Sequence, residues 1–278
     1  MFGSRSDDIE YKTPEQFDKM REAGLVVAAV HQAMRESVRP GVTTKKLDEI
    51  AAEVIDSHGA TPSFLGYDIG MGPYPAVICA SVNEQVVHAI PSEKQVLAEG
   101  DLISIDVGAI VDGWHGDAAI TLPVGSVGEE LLDLIDAAEE AMWAGIAAAA
   151  VGKRLGDVSY AIQLSIQEHG RYGIVTGFGG HGIGSQMHQD PHVLNYGRPG
   201  RGVKLKRGMG LAIEPMLTLG DAETVDAADG WTVTTADGSP AAHVEHSIAL
   251  CGDGVWVLTA PDGGVERLGD LASPRARR

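Results

Sequence analysis

The spacing of apolar and polar residues divides the first part of the chain into two helices. Apolar residues at helical spacing predict a first helix that begins at Pro14, behind Thr13 as N-cap, and runs to about Val38. A second amphipathic helix is predicted with Thr44 as its N-cap and its end at His58. The chain therefore opens with a helix pair joined by a short Pro-Gly turn.

The same plan recurs about a hundred residues later, where two more helices are predicted over about 129–151 and up to 169. The match continues downstream, because residues 97–106 align with residues 205–214. In each segment an acid, Asp106 or Glu214, lies six positions after a glycine at the end of an apolar strand. A repeat of this length predicts two similar α+β halves, and a chance likeness of common residue types is the alternative.

Short apolar runs predict strands at 76–80, 86–90, 174–175, 211–213, 242–249 and 255–259. The strongest strand signal is an apolar run, an Asp112-Gly113 pair and a return strand, which together predict a hairpin with a tight turn. This hairpin would place Asp106 and Asp117 nearly opposite each other, or displaced by a bulge. Two carboxylates at such a short distance repel each other unless a proton or a metal ion lies between them.

Composition limits the class of protein. The chain has 278 residues, of which 44 % are apolar, and this suits one large domain or two small ones. The formal charge of −18 argues against nucleic-acid binding through a basic face. Two cysteines, Cys79 and Cys251, indicate no disulfide framework. Residues 1–12 hold no apolar signal segment, and no apolar run is long enough to span a bilayer. We expect a cytoplasmic protein without a membrane partner.

Five acidic or histidine residues stand at predicted strand ends or in glycine-flanked turns: Asp106, Asp117, His181, Glu214 and Glu245. Each alone has an ordinary explanation as a turn residue or a salt-bridge partner. Together they are four carboxylates and one imidazole, with no lysine or arginine in the same segments, and such a set would raise its own pKa values. Two divalent ions, of Mn, Fe, Co or Zn, would neutralise it and activate water for hydrolysis.

A nucleotide-binding alternative rests on Gly177, Gly179 and Gly182, which match the spacing of a dinucleotide-binding loop. This signal is weak, because Pro191 follows where a helix should run and no βαβ unit surrounds the glycines.

Six short motifs in a fixed order carry a family resemblance: residues 83–91, 105–108, 114–117, 180–184, 214–216 and 245–247. On these motifs, residues 13–260 resemble a type I methionine aminopeptidase. The resemblance implies an α+β pita-bread fold, with two pseudo-symmetric halves and a curved antiparallel sheet that encloses a dinuclear metal site. It implies one catalytic domain over 13–260, after an N-terminal extension (1–12) and before a polar C-terminal tail (261–278). We expect the tail from 262 to be disordered.

The resemblance also assigns the metal ligands. Asp117 and Glu245 would bridge two ions, and Asp106 would bind one of them through both carboxylate oxygens. His181 and Glu214 would bind the other ion. Glu214 would in addition carry a proton from the water between the ions.

Substrate contacts follow in the same way. His88 would contact the substrate near the scissile amide, and His188 would stabilise the developing oxyanion. The methionine pocket would draw on Tyr67, Tyr74, Met187 and Trp231, for which plain core packing is the alternative. Phe64 stands where many bacterial members carry a smaller residue, and the segment from Tyr67 to Tyr74 is about four residues longer than usual. The resemblance therefore says least about side-chain selectivity.

The implied reaction is hydrolytic removal of the initiator methionine from nascent proteins and short peptides whose second residue is small. The family normally acts as a monomer. A ribosome contact would suit this task, although no segment indicates one.

Three rival interpretations stay open at this point. X-Pro aminopeptidases and prolidases share the ligands but usually carry an extra N-terminal domain, for which the residues before Asp106 leave no room. Type II methionine aminopeptidases carry a helical insertion that the 26 positions from His188 to Glu214 do not accommodate. A binding module that lost its metals should have lost ligands, and all five are present.

Overall fold

The computed structural model describes residues 9–70 and 72–277. The predicted N-terminal extension lies outside the described residues up to position 8. The first half contains α1 (Pro14–Ser37), α2 (Thr44–Ser57), β1 (Thr61–Pro62), β2 (Ile78–Val82), β3 (Gln85–Val87), β4 (Leu102–Val111) and β5 (Trp114–Pro123). The second half begins with α3 (Glu129–Ala148) and α4 (Leu155–His169). Its strands are β6 (Gly173–Ile174), β7 (Gly180–Gly182), β8 (Gln189–Val193), β9 (Gly210–Ile213), β10 (Met216–Thr218), β11 (Thr224–Asp226), β12 (Val233–Thr235), β13 (Ala241–His243), β14 (His246–Leu250) and β15 (Val255–Val257), before α5 (Val265–Leu268).

The helix starts follow local capping chemistry. At α1 the Thr13 hydroxyl accepts from Gln16 N–H and the Gln16 side chain accepts from Thr13 N–H, so the predicted start is confirmed. At α2 the predicted cap is wrong by one residue. Thr43 is the N-cap and accepts from Lys46 N–H, because the hydroxyl of Thr44 is buried and donates to Ser92 O.

The β4–β5 hairpin has the predicted two-residue turn, with positive φ at Asp112 (49°) and Gly113 (82°). Its ladder is regular from the strand ends to the turn, so there is no bulge. Asp106 pairs with Ala119, and Asp117 pairs with Gly108. The two carboxylates are therefore diagonal neighbours on one face, nearly opposite as predicted, and the displacement of two positions arises without a bulge. The tight turn sets this register.

Each half packs its helix pair on an antiparallel sheet. In the first half β4 lies between β1 and β2 and also pairs with β5. In the second half the order is β15-β14-β9-β7-β8. The first core gathers α1, α2 and β4 through residues such as Val30, Leu47 and Ile105, and the second gathers α3, α4 and β9 through residues such as Ala138 and Leu211.

Equivalent hydrogen bonds confirm the internal repeat. Gly41, after α1, donates its N–H to Leu97 O at 2.7 Å, and Gly152, after α3, donates to Leu205 O at 2.9 Å. The two helix pairs are thus tied to corresponding points of the two sheets, as expected for two related halves.

The predicted strand over 242–249 is divided into β13 and β14 by Val244 and Glu245. At this break the Glu245 N–H donates to Ala119 O of β5 at 2.9 Å. The interruption joins the two halves and turns the Glu245 carboxylate into the space between them.

The disorder predicted for the tail is wrong over residues 262–277. This segment forms α5 and two 3₁₀ turns, Gly269–Leu271 and Pro274–Arg277. Ser273 is fully buried, and its N–H donates to Val255 O at 2.8 Å. Leu268 and Ala272 are buried in the second core, and these apolar contacts offset the polar composition of the segment.

Within the described ranges, no helix is both long and apolar enough to cross a bilayer.

Candidate metal centre and active site

The five predicted metal ligands come together in one cavity of about 330 Å³ between the two halves. They stand on or beside six different strands. β4 and β5 carry Asp106 and Asp117, β7 carries His181, Glu214 follows β9, and Glu245 stands between β13 and β14. Asp106, Asp117 and His181 lie within their strands and not at strand ends as predicted, and side chains far apart in sequence converge because strands of both halves face the cavity.

The chemistry of this donor set fits divalent cations. Buried oxygens of Asp106, Asp117 and Glu245 (Oδ1, Oδ1 and Oε1) have no hydrogen-bond partner among the described residues. No lysine or arginine of the described chain lines the cavity. Burial of a carboxylate without a partner costs several kcal/mol in practice, so such oxygens need a proton or a cation. Ligand atoms of Asp117, His181 and Glu245 lie within 4.8 Å of one another, a separation that one ion can bridge.

Electrostatics point the same way. Burial raises the pKa values of Asp106, Asp117 and Glu245 well above their usual range, and the neighbouring carboxylates raise them further. Burial also acts to raise the pKa of Glu214, but the nearby His243 and His181 rings outweigh it and lower this pKa. In the metal-free protein the negative charges of several buried acids are therefore unfavourable, and bound cations would neutralise them.

Sequence reasoning missed His243, which lines the same cavity and is 2 % exposed. Its Nε2 lies 3.4 Å from Glu214 Oε2. One ligand atom each from Glu214, His243 and Glu245 also lies within 4.8 Å of the others. The available signal was the spacing of two positions between His243 and Glu245, which places two side chains on one face of an extended segment.

The two histidines predicted to contact substrate also line this cavity. The His188 Nδ1 lies 2.8 Å from the Tyr67 hydroxyl, and its ring centroid lies 4.4 Å from that of His181. Burial, followed by the charge of His181, lowers the pKa of His188 to about 3. His88 has a positive φ of 60°, and burial lowers its pKa to about 4. Both rings are neutral at neutral pH.

An aromatic wall lies beside the carboxylates, formed by the predicted pocket residues Phe64, Tyr67, Tyr74, Met187 and Trp231. Tyr74 is fixed by its hydroxyl, which donates to Ile78 O at 3.1 Å and to Ala89 O at 3.0 Å. The Trp231 ring packs edge-on against Tyr74 at 5.1 Å between centroids. Cys79, which the sequence reasoning did not select, completes this wall.

The described residues between Tyr67 and Tyr74 (68–70 and 72–73) lie at the mouth of the cavity. Asp68 Oδ1 accepts from the N–H groups of Gly70 and Gly72 at 2.7 and 3.2 Å. Ile69 lines the cavity although 57 % of its surface is exposed. Ile69 therefore places an apolar side chain where the cavity opens to solvent.

The fold and this donor set define a metal-dependent peptidase, and the chain belongs to metallopeptidase family M24, whose family model matches residues 18–250. Within that family its curated relatives are methionine aminopeptidases. Methionine aminopeptidase 1 of Mycobacterium tuberculosis is 54 % identical over 256 residues, which cover 90 % of this chain and 95 % of the relative. Methionine aminopeptidase of Clostridium acetobutylicum is 46 % identical over 251 residues, which cover 90 % and 98 %.

Solved structures agree. The crystal structure of methionine aminopeptidase from Thermotoga maritima matches with a TM-score of 0.87 and 41 % identity, over 90 % of this chain and 99 % of that one. These matches confirm the resemblance to type I methionine aminopeptidases and the pita-bread fold. A prolidase from Pyrococcus furiosus has a TM-score of 0.70 at 20 % identity, over 90 % of this chain and 65 % of that one, and shares the fold alone.

Proposed function

We propose that this protein is a methionine aminopeptidase that uses two divalent ions to remove an N-terminal methionine when the second residue is small. The observation that carries the proposal is the convergence of buried Asp117, Glu214, Glu245 and His181 with half-buried Asp106 at one cavity, where three of the carboxylates have a buried oxygen without a partner among the described residues. The similarity to curated methionine aminopeptidases over 90 % of the chain supports the same substrate class. Residues 13–260 form the catalytic unit in this proposal.

The ligand roles are part of the proposal. Asp117 and Glu245 would be shared between the two ions, Asp106 would complete one site, and His181 with Glu214 would complete the other. Carboxylates with one imidazole suit Mn, Fe, Co or Zn. When bound, such ions activate water and polarise the scissile carbonyl.

The protein side chains then orient substrate and move protons. Glu214 accepts a proton from the attacking water and passes it towards the leaving amine, a task for which its lowered pKa keeps it ionised. In this proposal the Tyr67 hydroxyl donates to His188 Nδ1, 2.8 Å away, which leaves the proton of the neutral ring on Nε2. That Nε2–H is the donor for the developing oxyanion, while His88 contacts the substrate near the amide.

The aromatic wall supplies selectivity for the first residue. Phe64, Tyr74 and Trp231 offer ring edges and faces to a flexible thioether, and contacts between sulfur and aromatic rings add about 0.3–1.5 kcal/mol each. The donation of the Tyr74 hydroxyl to two backbone carbonyls and the packing of its ring with Trp231 keep the pocket rigid. A straight apolar side chain therefore fills it better than a charged or branched one.

The decisive test is release of free methionine from a Met-Ala-Ser peptide by chelator-stripped protein, titrated with Mn²⁺ or Co²⁺. An Ala-Pro-Ser peptide serves as control, with Asp106→Asn as a matched variant that keeps the side-chain shape. We expect release that depends on metal, an untouched control peptide and a strongly impaired variant. Cleavage of the Pro peptide instead would contradict the substrate class, and no cleavage at any metal level would contradict the enzymatic function.

We further propose that the natural substrates are nascent polypeptide N-termini and short peptides, met by a monomer in the cytoplasm. A ribosome contact would bring the enzyme to emerging chains. Co-sedimentation with ribosomes that carry nascent chains, compared with empty ribosomes, tests this point, and recovery only in the supernatant would contradict it.

A further inference from the structure

The carboxylate of Glu214 lies between two imidazole rings. Its Oε1 is 3.4 Å from His181 Nε2, and its Oε2 is 3.4 Å from His243 Nε2. The Nε2 of His243 is buried and has no hydrogen-bond partner among the described residues. Each carboxylate oxygen therefore faces a different histidine, and only the His181 side belongs to the predicted ligand set.

His243 is held in place through its backbone by the hairpin of the first half. Its N–H donates to Thr121 Oγ1 at 3.0 Å and to Ser104 Oγ at 3.2 Å, and Thr121 Oγ1 donates to His243 O at 2.7 Å. These four groups are buried, and the two hydroxyls lie 2.9 Å apart. The network fixes the end of β13, so the ring is presented to Glu214 by a rigid support.

We propose that His243 is a positioning residue for Glu214: its Nε2–H donates to Oε2 and thereby directs Oε1 towards the ion that His181 would bind. This inference rests on the proposed function, because it takes Glu214 to be a metal ligand. The separation of 3.4 Å is slightly longer than a normal N–H···O bond of about 2.7–3.2 Å, and a small rotation of either side chain closes it.

The expected benefit is preorganisation. A carboxylate whose second oxygen is already hydrogen-bonded loses less side-chain freedom when an ion binds, and partners of metal ligands typically contribute about 10–100-fold in metal affinity. A role for His243 as an additional nitrogen ligand is the competing explanation, because ligand atoms of Glu214, His243 and Glu245 cluster within 4.8 Å.

Three substitutions separate these roles. His243→Leu removes the donor and keeps an apolar side chain of similar volume. His243→Gln places an amide N–H close to the position of Nε2, whereas His243→Asn is too short to reach Glu214. Each variant is stripped with chelator and titrated with Mn²⁺ in a calorimeter, and its metal-free melting temperature checks that the fold is retained.

We expect about tenfold or greater loss of Mn²⁺ affinity in His243→Leu and His243→Asn, with affinity within a few-fold of the parent in His243→Gln. We also expect kcat of the saturated Leu variant to fall more than its KM changes. Unaltered affinity in the Leu and Asn variants would overturn the proposal. Equal loss in Gln, Leu and Asn would overturn it in favour of direct ligation.

The parent protein separates this proposal from the proposed function. A parent that binds Mn²⁺ but releases no methionine contradicts the function alone, and the affinity series still decides the role of His243. A parent that binds no ion contradicts both.

Discussion

Asp117 shows how a single residue connects the two halves and creates a demand for cations. Its N–H donates to Ser247 Oγ at 3.2 Å, and Ser247 Oγ donates back to Asp117 O at 2.7 Å, so β14 fixes this point of β5. The side chain is 3 % exposed, and its Oδ1 has no partner within the described chain. The residue is therefore held where its negative charge is costly unless a cation binds beside it.

We predict that Asp117→Asn stabilises the metal-free protein at pH 7.5. Burial and the charge of Glu214 raise the pKa of Asp117 above its unfolded value of 3.8, so the parent loses stability as pH rises above that value. An amide carries no such penalty. The melting temperature in EDTA should rise by several degrees, and the increase caused by added Mn²⁺ should be largely lost. A variant that melts below the parent in EDTA would contradict this.

A second residue-scale prediction concerns His31, far from the ligands in sequence and 6 % exposed. Burial, followed by the charges of His246 and Arg35, lowers the pKa of His31 to about 3. The unfolded ring binds a proton near pH 6.5 and the folded ring does not, so stability is lost as pH falls below 6.5. This group contributes a loss of about 2 kcal/mol between pH 6.5 and 5.0.

Substitution His31→Gln should therefore reduce the difference in unfolding free energy between pH 7.5 and 5.0. Urea denaturation of parent and variant in EDTA at both pH values measures it, and contributions from groups that do not interact with His31 cancel in the comparison. An identical pH dependence in the two proteins would show that His31 does not titrate in this way.

At the scale of elements, α1 lies on β5 at unusually short range. A Cβ atom at Gly24 would lie 2.2 Å from Leu258 O, and one at Gly116 would lie 2.6 Å from Gly24 N. Both contacts involve backbone atoms, which cannot rotate away. Gly116 lets the helix approach the hairpin that carries Asp106 and Asp117, and Gly24 lets the same helix approach the backbone at Leu258, so the position of α1 depends on two residues without side chains.

We predict that Gly24→Ala destabilises the protein by about 1–3 kcal/mol, because overpacking outweighs the higher helix propensity of alanine. Gly177→Ala is the matched control, since nothing lies within 4 Å of a Cβ built there and its φ is not positive. Urea denaturation of both variants measures the difference. A Gly24 variant as stable as the control would contradict the close packing.

The loop at the mouth of the cavity gives a prediction about selectivity. Ile69→Ser should raise KM by about tenfold for peptides whose third residue is apolar, because one apolar contact is lost. Ile69→Leu should retain the parent KM, and Mn²⁺ affinity should be unchanged in both. Kinetics with Met-Ala-Leu and Met-Ala-Ser measure this, and equal KM changes for both peptides would contradict an apolar contact at Ile69.

At the scale of the whole molecule, the two halves supply ligands to one cavity and the C-terminal segment closes the second core. Arg275 extends from this segment to α1, where it donates to Pro14 O at 3.1 Å and pairs with Asp18. Its guanidinium also lies 5.3 Å from the centroid of the Trp256 ring. The segment thus joins the first helix to the last strand.

We predict that deletion of residues 262–278 lowers the melting temperature by several degrees, because it uncovers apolar core surface and removes the contacts of Arg275. Mn²⁺ affinity at 20 °C should stay within a few-fold of that of the full chain. Thermal melts and calorimetric titrations measure both quantities. A truncated protein with parental stability, or with lost metal affinity, would contradict this structural role.

Much of the site was predictable because its residues carry local signals. Glycines around His181, a proline after Glu214 and the Asp-Gly turn beside Asp117 reflect backbone requirements that are visible in sequence. All five expected ligands and all seven expected substrate contacts line one cavity. The roles assigned to them stay predictions until metal and substrate are measured. His243 was missed because its significance depends on its proximity to Glu214, which follows a strand far away in sequence.

The sequence by itself determined the helix pairs, the hairpin turn, the repeat and the order of the motifs, since each depends on residues that are neighbours along the chain. Only the tertiary structure decided the two-position offset of Asp106 and Asp117, the break at Glu245, the contact of His243 with Glu214 and the folding of the tail. These features depend on pairing register and on burial between segments far apart in sequence. Local sequence patterns indicate which secondary structure a segment can form, whereas packing between segments determines which side chains come into contact.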